Sequence, residues 1–282
     1  MTQPIKPMNI FKRSLHTAMV LAALLAITSL HGIALAADAV LEVANGTQVQ
    51  KFTREELLKN PGLRTIEIKH DSAYGRTMSY QAVPFAALLP QVQKMLSVQF
   101  TALDGFVANI PGPLLASNAQ AWLAIEPADG KWPAVKAGEA ATAGPFYLVW
   151  LSPEKAGISN EQWPYQIARI AEAQPLESRH AQLLPKTAAD SIEQRGLKVF
   201  VTNCAVCHKM NGGGDAAIGP DLNKPYNPTE YFQEAYLRKL IREPASVRTW
   251  KQSAMPGFSE RVLPEPELNE LIAYLKQMAK QR

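Results

Sequence analysis

Two cysteines occur in this chain of 282 residues, three positions apart, with a histidine directly behind them: Cys204-Ala205-Val206-Cys207-His208. No other run constrains the chain as tightly. On a helical turn, positions i, i+3 and i+4 share a face. Two thiols on that face can form thioethers with the two vinyl groups of one haem, while the adjacent imidazole reaches iron. This is the c-type attachment pattern. The competing uses of such a pair fit less well. A structural zinc site wants four ligands, and the chain has no second cysteine pair. A thioredoxin-like dithiol belongs in a βαβ setting that this segment does not offer, and a plain disulfide leaves His208 without a role.

The beginning of the chain reads as an export signal over residues 1–36. Lys12 and Arg13 end a positive region, residues 19–30 are an apolar core, and Ala34-Leu35-Ala36 is a small-x-small cleavage site ahead of Ala37. The apolar run is shorter than the ~20 residues a span needs and is followed by His31-Gly32. Cleavage is therefore expected rather than retention as an anchor, with no membrane span in the mature chain. Haem of this type is attached outside the cytoplasm, so a periplasmic location is expected. The n-region has no Arg-Arg pair, which points to secretion as an unfolded chain. The net charge of +4 shrinks accordingly: removing Lys6, Lys12 and Arg13 from the 29 basic residues leaves 26 against 25 acidic. No basic block suggests nucleic acid.

The remainder divides into residues 37–185 and 186–282, a two-domain reading consistent with the length. In the first, residues 40–43 and 65–69 alternate as half-buried strands do. Thr53-Arg54-Glu55-Glu56 is a capping box opening a short helix, and residues 83–89 read as a second one. Asp104-Gly105 is a turn between strands 97–102 and 106–110. Residues 121–125 and 146–151 are apolar runs of buried-strand length, and residues 163–170 close an α+β domain. Lys69, His70 and Arg76 read as a solvated loop, His180 as a surface residue, and Trp122, Trp132, Trp150 and Trp163 as core.

Three elements of this half carry a resemblance: residues 80–89 with their Val83-Pro84 step, the Asp104-Gly105-Phe106 hairpin, and Gly144-Pro145-Phe146-Tyr147-Leu148-Val149. Together with Trp163, Ile167 and Ile170 they resemble the molybdopterin-binding domain of the sulfite oxidase family, over about 130 residues. Catalytic members of that family hold molybdenum through a cysteine thiolate. No cysteine exists here outside Cys204 and Cys207, and the corresponding region offers His70. The expectation is a docking or binding module of that fold without molybdopterin.

Residues 186–282 read as helical. Asp190 or Ser191 can cap a helix entering the cysteine motif, and Gly212-Gly213-Gly214-Asp215 reads as a flexible turn. Residues 231–241 and 266–278 carry apolar stripes at helical spacing. This all-α part is similar to class I cytochrome c. The resemblance implies His208 as proximal iron ligand and the Gly219-Pro220 loop, whose Pro220 carbonyl would accept the His208 Nδ1 hydrogen. It also implies Met255, in Ser253-Ala254-Met255-Pro256-Gly257, as sixth ligand, Gly196 and Phe200 packing on Tyr274, and Trp250 near a haem propionate. Met255 can also be argued by elimination. Met210 lies two residues from His208, Met278 lies at a helix end, and His70 and His180 belong to the other half.

Filling both axial positions leaves no open site at iron and favours the ferrous state relative to bis-histidine ligation. The expected function is one-electron transfer by an exported monohaem protein with one covalent haem c, working with periplasmic redox partner proteins and having no catalytic residue of its own. The alternatives are the haem-bearing part of a periplasmic molybdenum-dependent, sulfite-type dehydrogenase, or a sensor in which the first half binds a ligand.

Overall fold

Alternation in the first half of the sequence becomes two sheets. In the computed structural model, which describes residues 39–128, 132–249 and 255–282, nine strands form before residue 174. They are β1 (Val40–Asn45), β2 (Gln48–Thr53), β3 (Arg64–Ile68), β4 (Met78–Pro84), β5 (Ser97–Ala102), β6 (Val107–Ile110), β7 (Ala121–Ile125), β8 (Phe146–Trp150) and β9 (Ile167–Ala173). Five make a sheet in the order β2-β1-β9-β5-β6 and four a second in the order β3-β4-β7-β8. Among the described residues only β1 and β9 pair in parallel.

The capping box forms as read. The Thr53 hydroxyl accepts from Glu56 N, and Glu56 returns a carboxylate to Thr53 N, opening α1 (Arg54–Leu58). The helix expected from residue 83 starts only at Phe85, because Val83 and Pro84 are the end of β4, which pairs with both β3 and β7. Every residue of β8 is buried. Beside it lies a buried carboxylate, Asp71, which accepts from Tyr80 Oη at 2.8 Å, Tyr147 Oη at 3.3 Å and the backbone of Ala73 and Tyr74. Burial pushes the Asp71 carboxyl up, and these donors oppose the shift.

The second half is helical: α2 (Ile192–Asn203), α3 (Glu234–Arg242) and α4 (Glu265–Ala279). Ser191 rather than Asp190 caps α2, accepting from Gln194 N. At Gly196, α2 and α4 touch backbone to backbone: a Cβ there would collide with the Glu270 carbonyl. One turn on, the Phe200 and Tyr274 rings lie 5.2 Å apart. The helix read from residue 231 does not start there. Asn227 caps a separate turn, Pro228–Tyr231, the backbone opens at Phe232, and α3 begins at Glu234. Among the described residues no helix is long and apolar enough to cross a membrane. The export signal and Trp250 lie outside the described residues.

Residues 39–282 pack into one compact unit with two apolar cores, one per half. The connector after β9 joins the helical core through buried Leu176 and Leu183, and the Tyr274 hydroxyl donates to the Leu183 carbonyl at 2.9 Å. Asp215 fastens the two halves. It accepts from Gln99 and Asn109 of the sheet at 2.8 and 3.2 Å and from Arg179 through both guanidinium nitrogens at 2.7 and 2.6 Å, and it lies 2.9 Å from His180 Nε2. The supposedly flexible turn is thus pinned, and His180 is partly buried in this cluster rather than free on the surface.

Candidate haem site

The C-terminus of α2 delivers the cysteine motif. Cys204 is the C-cap residue, and the chain makes one more helical turn, with Cys207 N and His208 N donating to the Cys204 carbonyl at 3.1 and 2.8 Å. That turn holds Cys204, Cys207 and His208 close together in the backbone. The two cysteines look toward different cores. Cys204 packs against the helical core and Cys207 against the sheet core, where Val206 is fully incorporated. Val107 N of β6 donates to the Val206 carbonyl at 3.1 Å, so the motif is tied to the sheet by backbone as well as by packing. Both cysteines are free thiols, and burial pushes each up to about 12.

His208 Nδ1 stands 2.8 Å from the Pro220 carbonyl oxygen. A carbonyl can only accept, so the proton resides on Nδ1 and Nε2 keeps its lone pair. Burial lowers the His208 pKa, with the Pro220 bond opposing, and so favours the neutral ring. Gly219 lies flat against that ring; a Cβ there would overlap Cε1 and Nδ1. The loop is held from below by residues that sequence reading missed. Asp221 accepts from the backbone of Asn211, Gly212 and Asn223. The Asn223 and Asn227 amides donate to the Met278 and Leu275 carbonyls at 2.8 and 3.0 Å, satisfying the open end of α4. The Asn227-Pro228-Thr229-Glu230 box is the signal that could have found this anchor.

Met255 is partly buried against the same helical core as Cys204. The segment after it is fastened to α3: Phe258 N donates to the Ile241 carbonyl at 3.0 Å, and Arg242 donates to the carbonyls of Phe258 and Leu263. Met210 and Met278 are wholly buried in the helical core. His70 sits on an exposed turn of the sheet part and lines a groove that it shares with Thr202 and Asn203, the residues just before Cys204. The structure therefore brings Cys204, Cys207, His208 and Pro220 together. This donor set fits a covalently held haem: two unpaired thiols on one helical turn, and a neutral imidazole already oriented by a carbonyl.

The Cytochrome c family profile matches residues 193–279. A protein named Cytochrome c from Chlamydomonas reinhardtii is 34% identical over 98 aligned residues, which take in 29% of this chain and 86% of that relative. The chain belongs to the cytochrome c family. Membership rests on the helical part and implies covalently bound haem c, haem-based electron transfer and redox partner proteins. The site described above lies wholly within the stretch that the cytochrome c profile covers, apart from its contacts with the sheet.

Proposed function

We propose that this chain is an exported monohaem cytochrome c with His208 and Met255 as axial ligands and Cys204 and Cys207 as thioether anchors. The sheet-rich half, a sulfite-oxidase-like module lacking the molybdenum-ligating cysteine, serves as a docking or binding surface for a periplasmic partner. The observation that carries the reading is the 2.8 Å contact of His208 Nδ1 with Pro220 O, beside two free thiols on one helical turn. Haem c, when bound, supplies a one-electron Fe(III)/Fe(II) couple. Pro220 fixes the imidazole in one tautomer and one orientation. Gly219 lets the backbone approach the ring, and the Asp221–Asn223–Asn227 network holds that loop still between redox states.

The test is purification of the mature protein with haem and metal quantitation and spectra of both redox states. One haem per chain is expected, together with a weak near-infrared band in the oxidised form that disappears in Met255→Ala. Persistence of that band and of the potential in Met255→Ala would sink the ligand assignment. Molybdenum near one per chain would replace the carrier reading with the dehydrogenase one, and residues 1–36 retained on the purified protein would remove the cleavage step.

A further inference from the structure

The short turn Asn160–Gln162 belongs to the sheet part yet lies against the haem-attachment loop, and it is clamped on both sides. Ser159 and Gln162 cap each other, the Gln162 carbonyl accepts from Trp150 Nε1 at 2.8 Å, and the Ser159 hydroxyl donates to Asn203, the residue before Cys204. Glu161 stands in the middle of this turn. Its carboxylate acts electrostatically on Cys204, Cys207 and Tyr165. Part of the residue reaches solvent, but burial is what acts on the carboxyl, and no donor or cation among the described residues offsets it. A carboxylate left without a partner beside two cysteines is costly, and the clamped turn gives it no route away.

We propose that Glu161 couples reduction of the haem in this chain to uptake of a proton. The inference rests on the haem reading above. Glu161 is held as the carboxylate by the extra positive charge of the oxidised centre. When a one-electron donor removes that charge, Glu161 takes a proton from solvent and becomes the neutral acid, and oxidation returns both electron and proton. Burial pushes the Glu161 carboxyl up to about 7, so the exchange falls at neutral pH. Other ionisable groups face the same recess. Asp104 comes from the β5–β6 hairpin and Glu139 and Tyr165 from the sheet part. On the groove side of the turn stand His70, Glu154, Lys198, Arg195, Arg261, Glu267 and Glu270, of which Arg195 and Glu270 are already paired with each other. Asp104 and Glu139 act on Tyr165, and Asp104 on Cys207, while burial alone acts on Glu161.

The test is potentiometry of the haem-loaded protein from pH 5.5 to 8.5, with redox-difference infrared spectra. In the wild type the potential should fall as pH rises through neutrality, a tenfold difference in proton affinity between the two states corresponding to ~59 mV. A protonated carboxyl band should also appear on reduction. Glu161→Gln should fold, keep its visible spectrum, and lose both the slope and the band; Glu161→Asp should keep a slope with a displaced midpoint. A flat wild-type profile, or an unchanged slope in Glu161→Gln, overturns the proposal while leaving the haem site intact. A colourless wild-type protein overturns both.

Discussion

The helical half announces its chemistry in five consecutive residues, Cys204 to His208, whereas the sheet-rich half spends a comparable length on a core that names none. Covalent attachment of one rigid ring demands fixed spacing, so its signature is local and survives reading without a structure. The sheet half is specified by burial: β8 is enclosed along its whole length, and Asp71 is saturated by two tyrosine hydroxyls and two amides. Such features fix a fold and are silent about a ligand. The two halves are nonetheless not independent, because Val206, inside the haem motif, is a member of the sheet core.

The largest expected effect tests that division of labour. Cys204→Ala combined with Cys207→Ala should abolish haem that survives denaturation, and His208→Ala should abolish the native iron spectrum. His70→Ala and His180→Ala should leave haem content and axial ligation unchanged, as read by haem staining and visible spectra. A changed iron spectrum in His70→Ala would mean that the sheet half contributes to the site.

Next in size is Gly196→Ala. The added methyl group has no space between α2 and the Glu270 carbonyl, so the helices must separate. Overpacking of this kind costs about 3 kcal/mol, and the midpoint of denaturant unfolding should fall accordingly, with the yield of haem-loaded protein falling alongside it. A neutral outcome would show that the crossing can slide.

Asp215→Ala tests the fastening of the two halves. Burial alone would raise the Asp215 carboxyl, but the bonds to Arg179 and His180 outweigh it and hold it at about 2, below its ordinary 3.8. A carboxyl held below its unfolded value stabilises the fold above that value and loses the contribution as pH falls from 3.8 toward 2. The shift corresponds to about 2 kcal/mol. The wild type should lose that increment on acidification and Asp215→Ala should not. Equal acid profiles for the two proteins would show that another carboxylate carries the effect.

Legibility in the sequence follows the same contrast. The strands over 97–102, 106–110, 121–125 and 146–151 and the Thr53 box were readable because each rests on a local period or on a tight spacing, whereas the α2–α4 crossing through Gly196, Phe200 and Tyr274 was expected from the resemblance to class I cytochrome c. β2 escaped because it is exposed along most of its length, with no apolar face to alternate. β4 escaped because its Val-Pro end resembles a helix start. In the site, the cysteines and His208 were legible, while Glu161, Asp221 and Asp215 were not. Glu161 and Asp215 act on partners tens of residues away, Asp215 reaching Gln99 across 116 positions, and no single-chain pattern encodes such a meeting; Asp221 acts within ten positions, but on bare loop amides that carry no residue signature. Asp215 was hidden further by its three preceding glycines, which signal mobility where the fold uses close approach.

The smallest expected effect sharpens the comparison from the sheet side. Thr53→Ala removes the hydroxyl that accepts from Glu56 N at 3.2 Å and frees Glu56 from the Thr53 hydroxyl, although its 2.7 Å bond from Thr53 N can persist. Loss of such a cap costs about 1 kcal/mol. Here the cost is transmitted, because α1 is only five residues long and presents Leu57 to the sheet core. Unfolding of the whole chain should therefore shift by that amount. The cap lies at the β1–β2 edge, while the haem motif enters the sheet at β6, on the opposite edge of the same five strands. The visible spectrum and the potential should accordingly not move. A shift in potential with Thr53→Ala would mean that strain crosses the sheet, and would make the sheet half an allosteric partner of the haem rather than a wall beside it.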